Sequence, residues 1–297
     1  MSKPSPRYSS QYIYHASAFG LAAEIERPVR QSVHTQAPSV LSCSGGRGSN
    51  RADKFSLPPF IAFDAAYTEV GGSYDHEHNK HTTYATAVVE GLNIADVVTA
   101  DRVVARTVVY SPEVGDHGGE HSYDITGSHF NNLRIAGHHV DVKLATHVFH
   151  EHDTYSKFQT ACHKGTTEKL LPWGDQNDKR LDELEKLEEQ YHALAGLGKR
   201  AKQWKERKNT KDHSSAYWCS AAGHLDLVDH VKETELKNFG SIIVVPKFGV
   251  IRLAEMIVSK EHRSLTMFRV EMCSAAGGGG SGGGTSGSGG GSAPPGS

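Results

Sequence analysis

The chain has 297 residues, 32 Lys plus Arg against 34 Asp plus Glu, a net charge of −2, and 37% hydrophobic residues. A balance this even supplies no general field to hold nucleic acid or an anionic membrane, and no run of about 18 apolar residues is there to cross a bilayer as a helix. What remains is a globular chain whose expected company is a protein partner or a homo-oligomer, with nucleic acid and membrane disfavoured.

Residues 1–11 read as a flexible N-terminus. They lack the apolar run of a secretory signal, so the expected location is the cytoplasm, with a surface role left open. From Tyr12 to about Phe149, short runs rich in Val, Ile, Thr, Tyr and Phe are separated by Gly, Pro, Asn and Asp. That pattern predicts strands near 12–26, 30–41, 60–70, 82–90, 102–110, 121–127 and 139–149. The last is the most regular, with Val140, Val142, Leu144, Thr146 and Val148 alternating with Asp141, Lys143, Ala145 and His147. "CSGGRGSNRADK" (43–54) predicts a polar loop, and "SPEVGDHGGEH" (111–121) another. Leu92-Asn93-Ile94-Ala95 is echoed by Leu133-Arg134-Ile135-Ala136, which predicts a shared way of turning between strands.

The period then changes. Leu181, Leu184, Leu187, Tyr191, Leu194 and Leu197 recur at spacings of three and four, the mark of an amphipathic helix or helical hairpin inserted at about 172–210, broken near residues 195–198. Acidic residues crowd its first half. The basic run from Lys199 to Lys211, which includes Trp204, answers the helix dipole at the other end. Strand-like text resumes at 217–229, 240–259 and 263–272, where Pro246 and Gly249 predict two strands separated by a turn or bulge. Residues 274–297 are almost wholly Gly and Ser and predict a disordered tail. The expected architecture is therefore a single mainly β domain over 12–273, a β-sandwich or open barrel with one helical insertion (coiled or hairpin).

Several blocks carry a resemblance. "YHASAFGLAAEI", "SLPPFIAFDAAYTEVGG", "ATAVVEGLNIADVVTADRVVAR", "GSHFNNLRIAGHHVDV" and the closing "VVPKFGVIRLAEMIVSKEHRSLTMFRVEM" resemble uncharacterised bacterial β-rich proteins of the choice-of-anchor P type. The resemblance implies a β fold of unassigned biochemistry and brings no catalytic residues with it. The chain departs from exported members of that group in showing neither signal nor hydrophobic anchor.

Histidine is the outlying residue type, at 19. In "HEHNKH", His76, His78 and His81, and in "HVFHEHD", His147, His150 and His152, are candidate metal ligands. His-x-His in a strand presents two imidazoles on one face, as sites for Zn, Cu or Fe use them, so a divalent metal is the one cofactor suggested. The competing reading is a pair of solvated loops. Cys43, Cys162, Cys219 and Cys273 stand far apart, with no C-x-x-C pair, and read as free buried thiols, with two disulfides as the alternative in an oxidising compartment. No nucleophile elbow or phosphate-binding loop is complete. The leading expectation is thus a non-enzymatic bacterial binding or self-assembly module. The alternatives are a metal-dependent enzyme or metal-binding protein that uses the loop histidines, and a membrane-active or pore-forming protein.

Overall fold

The computed structural model describes residues 12–25, 31–112, 119–167, 170–172, 178–191, 194–206, 216–227, 236–273, 279–282 and 286–292. The expected flexible segment 1–11 lies outside them. The chain starts with β1 (Ile13–Phe19), β2 (Leu21–Ile25), β3 (Gln31–Gln36) and β4 (Ser39–Val40). In β1, Tyr14, Ala16 and Ala18 turn inward while Ile13 and His15 face out, as a period of two requires. Gly20 lets this strand bend over its neighbour, because a Cβ there would stand 2.7 Å from that of Ala66.

Four long strands follow: β5 (Gly46–Leu57), β6 (Ile61–Asp75), β7 (Lys80–Ile94) and β8 (Val98–Pro112). They form an antiparallel meander, each paired with the next along nearly its whole length. The first is a correction to the expected loop at 43–54, which is strand from Gly46 onward. Small strands β9 (Ser122–Asp124), β10 (His129–Asn131), β11 (Arg134–Ile135) and β12 (His138–Leu144) extend that sheet. The predicted strand 139–149 ends at Leu144. Beyond it the Ala145 amide bonds to the Ala221 carbonyl, and the Ala145 carbonyl then accepts from Val148 and Phe149, which turns the chain into α1 (Thr146–Glu151). Its buried Phe149 ring stacks on Phe158 of α2 (Tyr155–His163), so the apolar residues that looked strand-like serve a helix contact. Thr154 caps α2 by accepting from the Lys157 amide.

The insertion is two helices, α3 (Asp178–Glu188) and α4 (Leu197–Glu206). The Arg207–Lys211 end of the basic run falls outside the described residues. Then come β13 (Ala216–Ser220), β14 (Ala222–Leu227), β15 (Lys237–Phe239), β16 (Ile242–Val245), β17 (Gly249–Ser259) and β18 (Arg263–Cys273), with the predicted turn between β16 and β17. Two pieces of the glycine-rich tail are strands and not the expected coil. β19 (Gly279–Gly282) pairs with β18 and β2, and β20 (Ser286–Ser292) runs between β1 and β18. A ladder needs only N–H and C=O groups, and glycine has both. The rest of the tail, 274–278, 283–285 and 293–297, is outside the described residues.

All pairings between these strands are antiparallel, and they assemble an 11-stranded and a nine-stranded sheet. The sheets face each other across one core, into which Ala16, Val70, Ala87, Val103, Leu253 and Leu265 project. The fold is mainly β, and no barrel closes among the described residues. A second core lies on the other side of the larger sheet. There Leu181, Leu184, Leu187, Leu194 and Leu197 pack against Phe239, Ile242, Val244 and Val250. β16 shows the logic: Ile242 and Val244 face the helices, Ile243 and Val245 face the other sheet, and all four are buried.

The two echoed segments turn alike. Leu92, Ile94, Leu133 and Ile135 are buried, and Ala95 (φ 51°) and Ala136 (φ 50°) both sit in the left-handed region. Each donates its amide at 2.7 Å across to another segment, to Phe60 O and Val97 O. Left-handed backbone costs an L-residue about 1–2 kcal/mol. Ala136→Gly is therefore expected to stabilise the fold by up to about 1 kcal/mol in urea unfolding, and a loss of stability would show that the turn is not strained there.

Candidate functional site

The candidate metal ligands are dispersed. His76 and His78 occupy the turn 76–79 between β6 and β7, where Asp75 takes the His78 ring nitrogen at 2.8 Å and the backbone amides of Glu77 and His78. Those bonds, the His78 side chain first, hold the Asp75 carboxyl below its usual range. His76 packs edge-on against Tyr74. His147 and His150 are exposed on α1, and His152 closes that helix. Among the described residues, no group of three or more His, Cys, Asp or Glu side chains is placed to hold a metal ion.

His81 goes elsewhere. Its ring stacks on Tyr12 with centroids 3.8 Å apart, and its Nδ1 meets the Tyr14 hydroxyl at 2.7 Å. Close by, the Tyr12 hydroxyl donates to Ser111 Oγ at 2.7 Å, and His121 Nδ1 lies 2.7 Å from the same oxygen. Ser111 is fully buried and His121 half-buried, so the bonds between them lie inside the fold. The arrangement is a pin that ties the first strand of one sheet to β7 and β8 of the other. It closes when the Ser111 O–H donates to an unprotonated His121. Burial accordingly lowers the His121 pKa, against the pull of Glu120 and Glu261. His262, in the β17–β18 hairpin, is also lowered by burial, with His15 and Arg263 adding to it. Below an unfolded value near 6.5 the unfolded chain takes up these protons first, so the stability present above that pH is lost as pH falls through the folded values. The midpoint of thermal unfolding should drop between pH 7.5 and 5, and His121→Gln should flatten part of that slope. An unchanged slope would remove His121 from the account.

Arg263 is the most deeply buried cation among the described residues. It is 3% exposed, its guanidinium lies 4.2 Å from the Tyr123 ring centroid and 5.8 Å from that of Phe158, and burial pulls its pKa down to about 10. Among the described residues no carboxylate lies within ion-pair distance of it, so two aromatic faces and a long hydrogen bond to the Ser259 carbonyl hold the charge. Cys162, pushed up to about 11 by burial, and Cys219, pushed higher still, lie in the same region as inert thiols. Cys219 and Phe158 are closed off from solvent here, and Cys162 is only partly exposed.

What does open is the edge of the nine-stranded sheet. β5 ends that sheet, its described pairing is to β6 alone, and none of its 12 residues is buried. Ala52, Phe55 and Leu57 in its second half touch the core, where Arg51 pairs with Asp53 at 2.8 Å and Lys54 leaves the ladder at φ 43°. Charges and an irregular residue of this kind blunt an edge. The first half, Gly46 to Asn50, carries only Arg47 among small and polar residues. The Arg51 amide is answered by Asn50's own side chain at 2.8 Å, so main-chain groups of that parity point off the sheet. The adjoining outer face carries Tyr67, which accepts from Arg102 at 2.7 Å and donates to Glu90, and Tyr84, which donates to Glu69.

A family described as a domain of unknown function, DUF8256, matches residues 12–259. The chain belongs to that family. No curated protein and no solved structure matches it. The DUF8256 match runs from Tyr12, just before β1, to the last residue of β17 and so includes both the pin and the open edge. No described helix of this DUF8256 chain is long and apolar enough to cross a membrane. Sequence reasoning missed β5 in the DUF8256 domain because it relies on buried apolar residues, which β5 lacks. The one signal present was Phe55-Ser56-Leu57, an apolar alternation just before Pro58-Pro59.

Proposed function

We propose that this chain is a non-enzymatic β-rich binding or self-assembly module that works through the edge strand β5. The observation that carries this reading is a 12-residue strand at a sheet edge with no buried residue. Its first half, Gly46 to Asn50, adds little apolar burial to the fold, so hydrophobic gain does not account for that part of its length. Its outward N–H and C=O groups are the kind of template that strand addition uses, with affinity from main-chain bonds and selectivity from flanking side chains. The resemblance of the central blocks to the choice-of-anchor P type group supports a β scaffold and adds no catalytic residue.

The test is a photo-cross-linking residue at position 49, compared with one at Lys179 on α3, in the cells that natively make the protein. Position 49 should give one discrete adduct and position 179 none. A chain that stays unlinked from position 49 across growth conditions would remove the edge as a working surface.

A further inference from the structure

The occupant of this edge can be argued from its charges. We infer that β5 pairs antiparallel with β5 of a second copy across a two-fold axis at Asn50, joining two nine-stranded sheets into one. This rests on the reading of β5 as a binding edge and names the partner.

Side chains on one face must meet the same face of the neighbour, so only registers that shift by two residues are allowed. With Asn50 opposite Asn50, Arg47 stands across from the partner's Asp53 at both ends, and Ser49 across from the partner's Arg51. The residues whose main-chain groups point outward, 47, 49, 51 and 53, then face one another as hydrogen-bonded pairs. Slipping the axis to Ser49 sets Arg47 against the partner's Arg51, and slipping it to Arg51 sets Arg51 against itself. Both put like charges opposite, which destabilises a strand pair. An axis at Ala52 brings Lys54, which leaves the ladder, inside the paired stretch. The Asn50 register alone among these four combines opposite charges with an unbroken ladder. The Arg51 amide would leave its own Asn50 side chain for the partner's Ser49 carbonyl. A two-fold contact of this kind is closed, so it yields a dimer and not a fibre.

The experiment is light scattering of the full chain over a range of concentrations, with unfolding midpoints taken in parallel to confirm that each variant is folded. The native chain should pass from monomer to dimer, more weakly at high salt. Ser49→Pro, which removes one outward amide, should stay monomeric. Asp53→Arg should weaken the dimer about tenfold or more, and adding Arg47→Asp to it should restore the native constant, because the swapped charges face each other again. A strict monomer, a dimer that Ser49→Pro leaves intact, or a charge swap that restores nothing would each overturn the inference. A strict monomer that still cross-links from position 49 to a different protein would overturn self-pairing while leaving the binding edge in place.

Discussion

Phe158→Ala is expected to cost about 3–5 kcal/mol, while Arg263→Met, whose charge lies 5.8 Å from that ring, is expected to change stability by less than about 1.5 kcal/mol. Phe158 is 1% exposed and touches Phe149, Tyr217 and Arg263, so deleting its ring leaves a cavity that rigid strands cannot collapse to fill. In a chain of this size the loss should lower the thermal midpoint by roughly ten degrees. Arg263 is different because its removal strands no buried carboxylate. The cation–π attraction it loses, about 1–2 kcal/mol, is offset by the dehydration of a guanidinium that no longer has to be buried. Paired urea titrations would check both. If Arg263→Met proved as damaging as Phe158→Ala, the guanidinium would have to be counted as a structural ion with a partner, and the aromatic account of it would fail.

Leu184→Ala should cost about 2–5 kcal/mol, and its effect should be local. Leu184 is fully buried in the second core, which α3 and α4 share with β15, β16 and β17 and which the main inter-sheet core does not enter. The ion pairs at its surface, Lys202 with Asp182 and Glu185 in the open and Lys237 with Glu183 half-buried, are reached by solvent and hold little. Hydrogen exchange should therefore quicken at amides 181–187 while β6, β7 and β8 keep their protection. Equal acceleration in α3 and β7 would mean that the two cores unfold as one unit.

The parts of this fold that bury apolar residues at a fixed period were legible in the sequence. The long strands β6, β7 and β8, the leucines of the insertion and the turn after Val245 all announce themselves that way. So do the twin turns at Ala95 and Ala136, whose flanking Leu and Ile repeat. The helices α1 and α2 were not legible, because Val148 and Phe149 continue the alternation of β12 until a hydrogen bond from Ala145 to Ala221 turns the chain. Nor were the tail strands, which pair through backbone alone. Of the candidate site, the sequence pointed to histidines by their number. The structure gives His81 to an aromatic stack, His78 to Asp75 and His121 to Ser111, while the edge strand was hidden by its polarity.

That polarity also governs how β5 can change over generations. An inward-facing residue of β7 or β8, such as Ala87 or Val103, must keep its volume and its dislike of water, since the facing sheet presses on it. At Arg47 and Ser49, which are exposed on the outer face, there is no such pressure, and recognition by main-chain groups does not depend on which side chains stand there. Family members should therefore have drifted apart most freely along this strand while keeping its length. Opposed charges at positions 47 and 53 would be exchanged together or not at all, leaving a paired substitution as the trace of the contact.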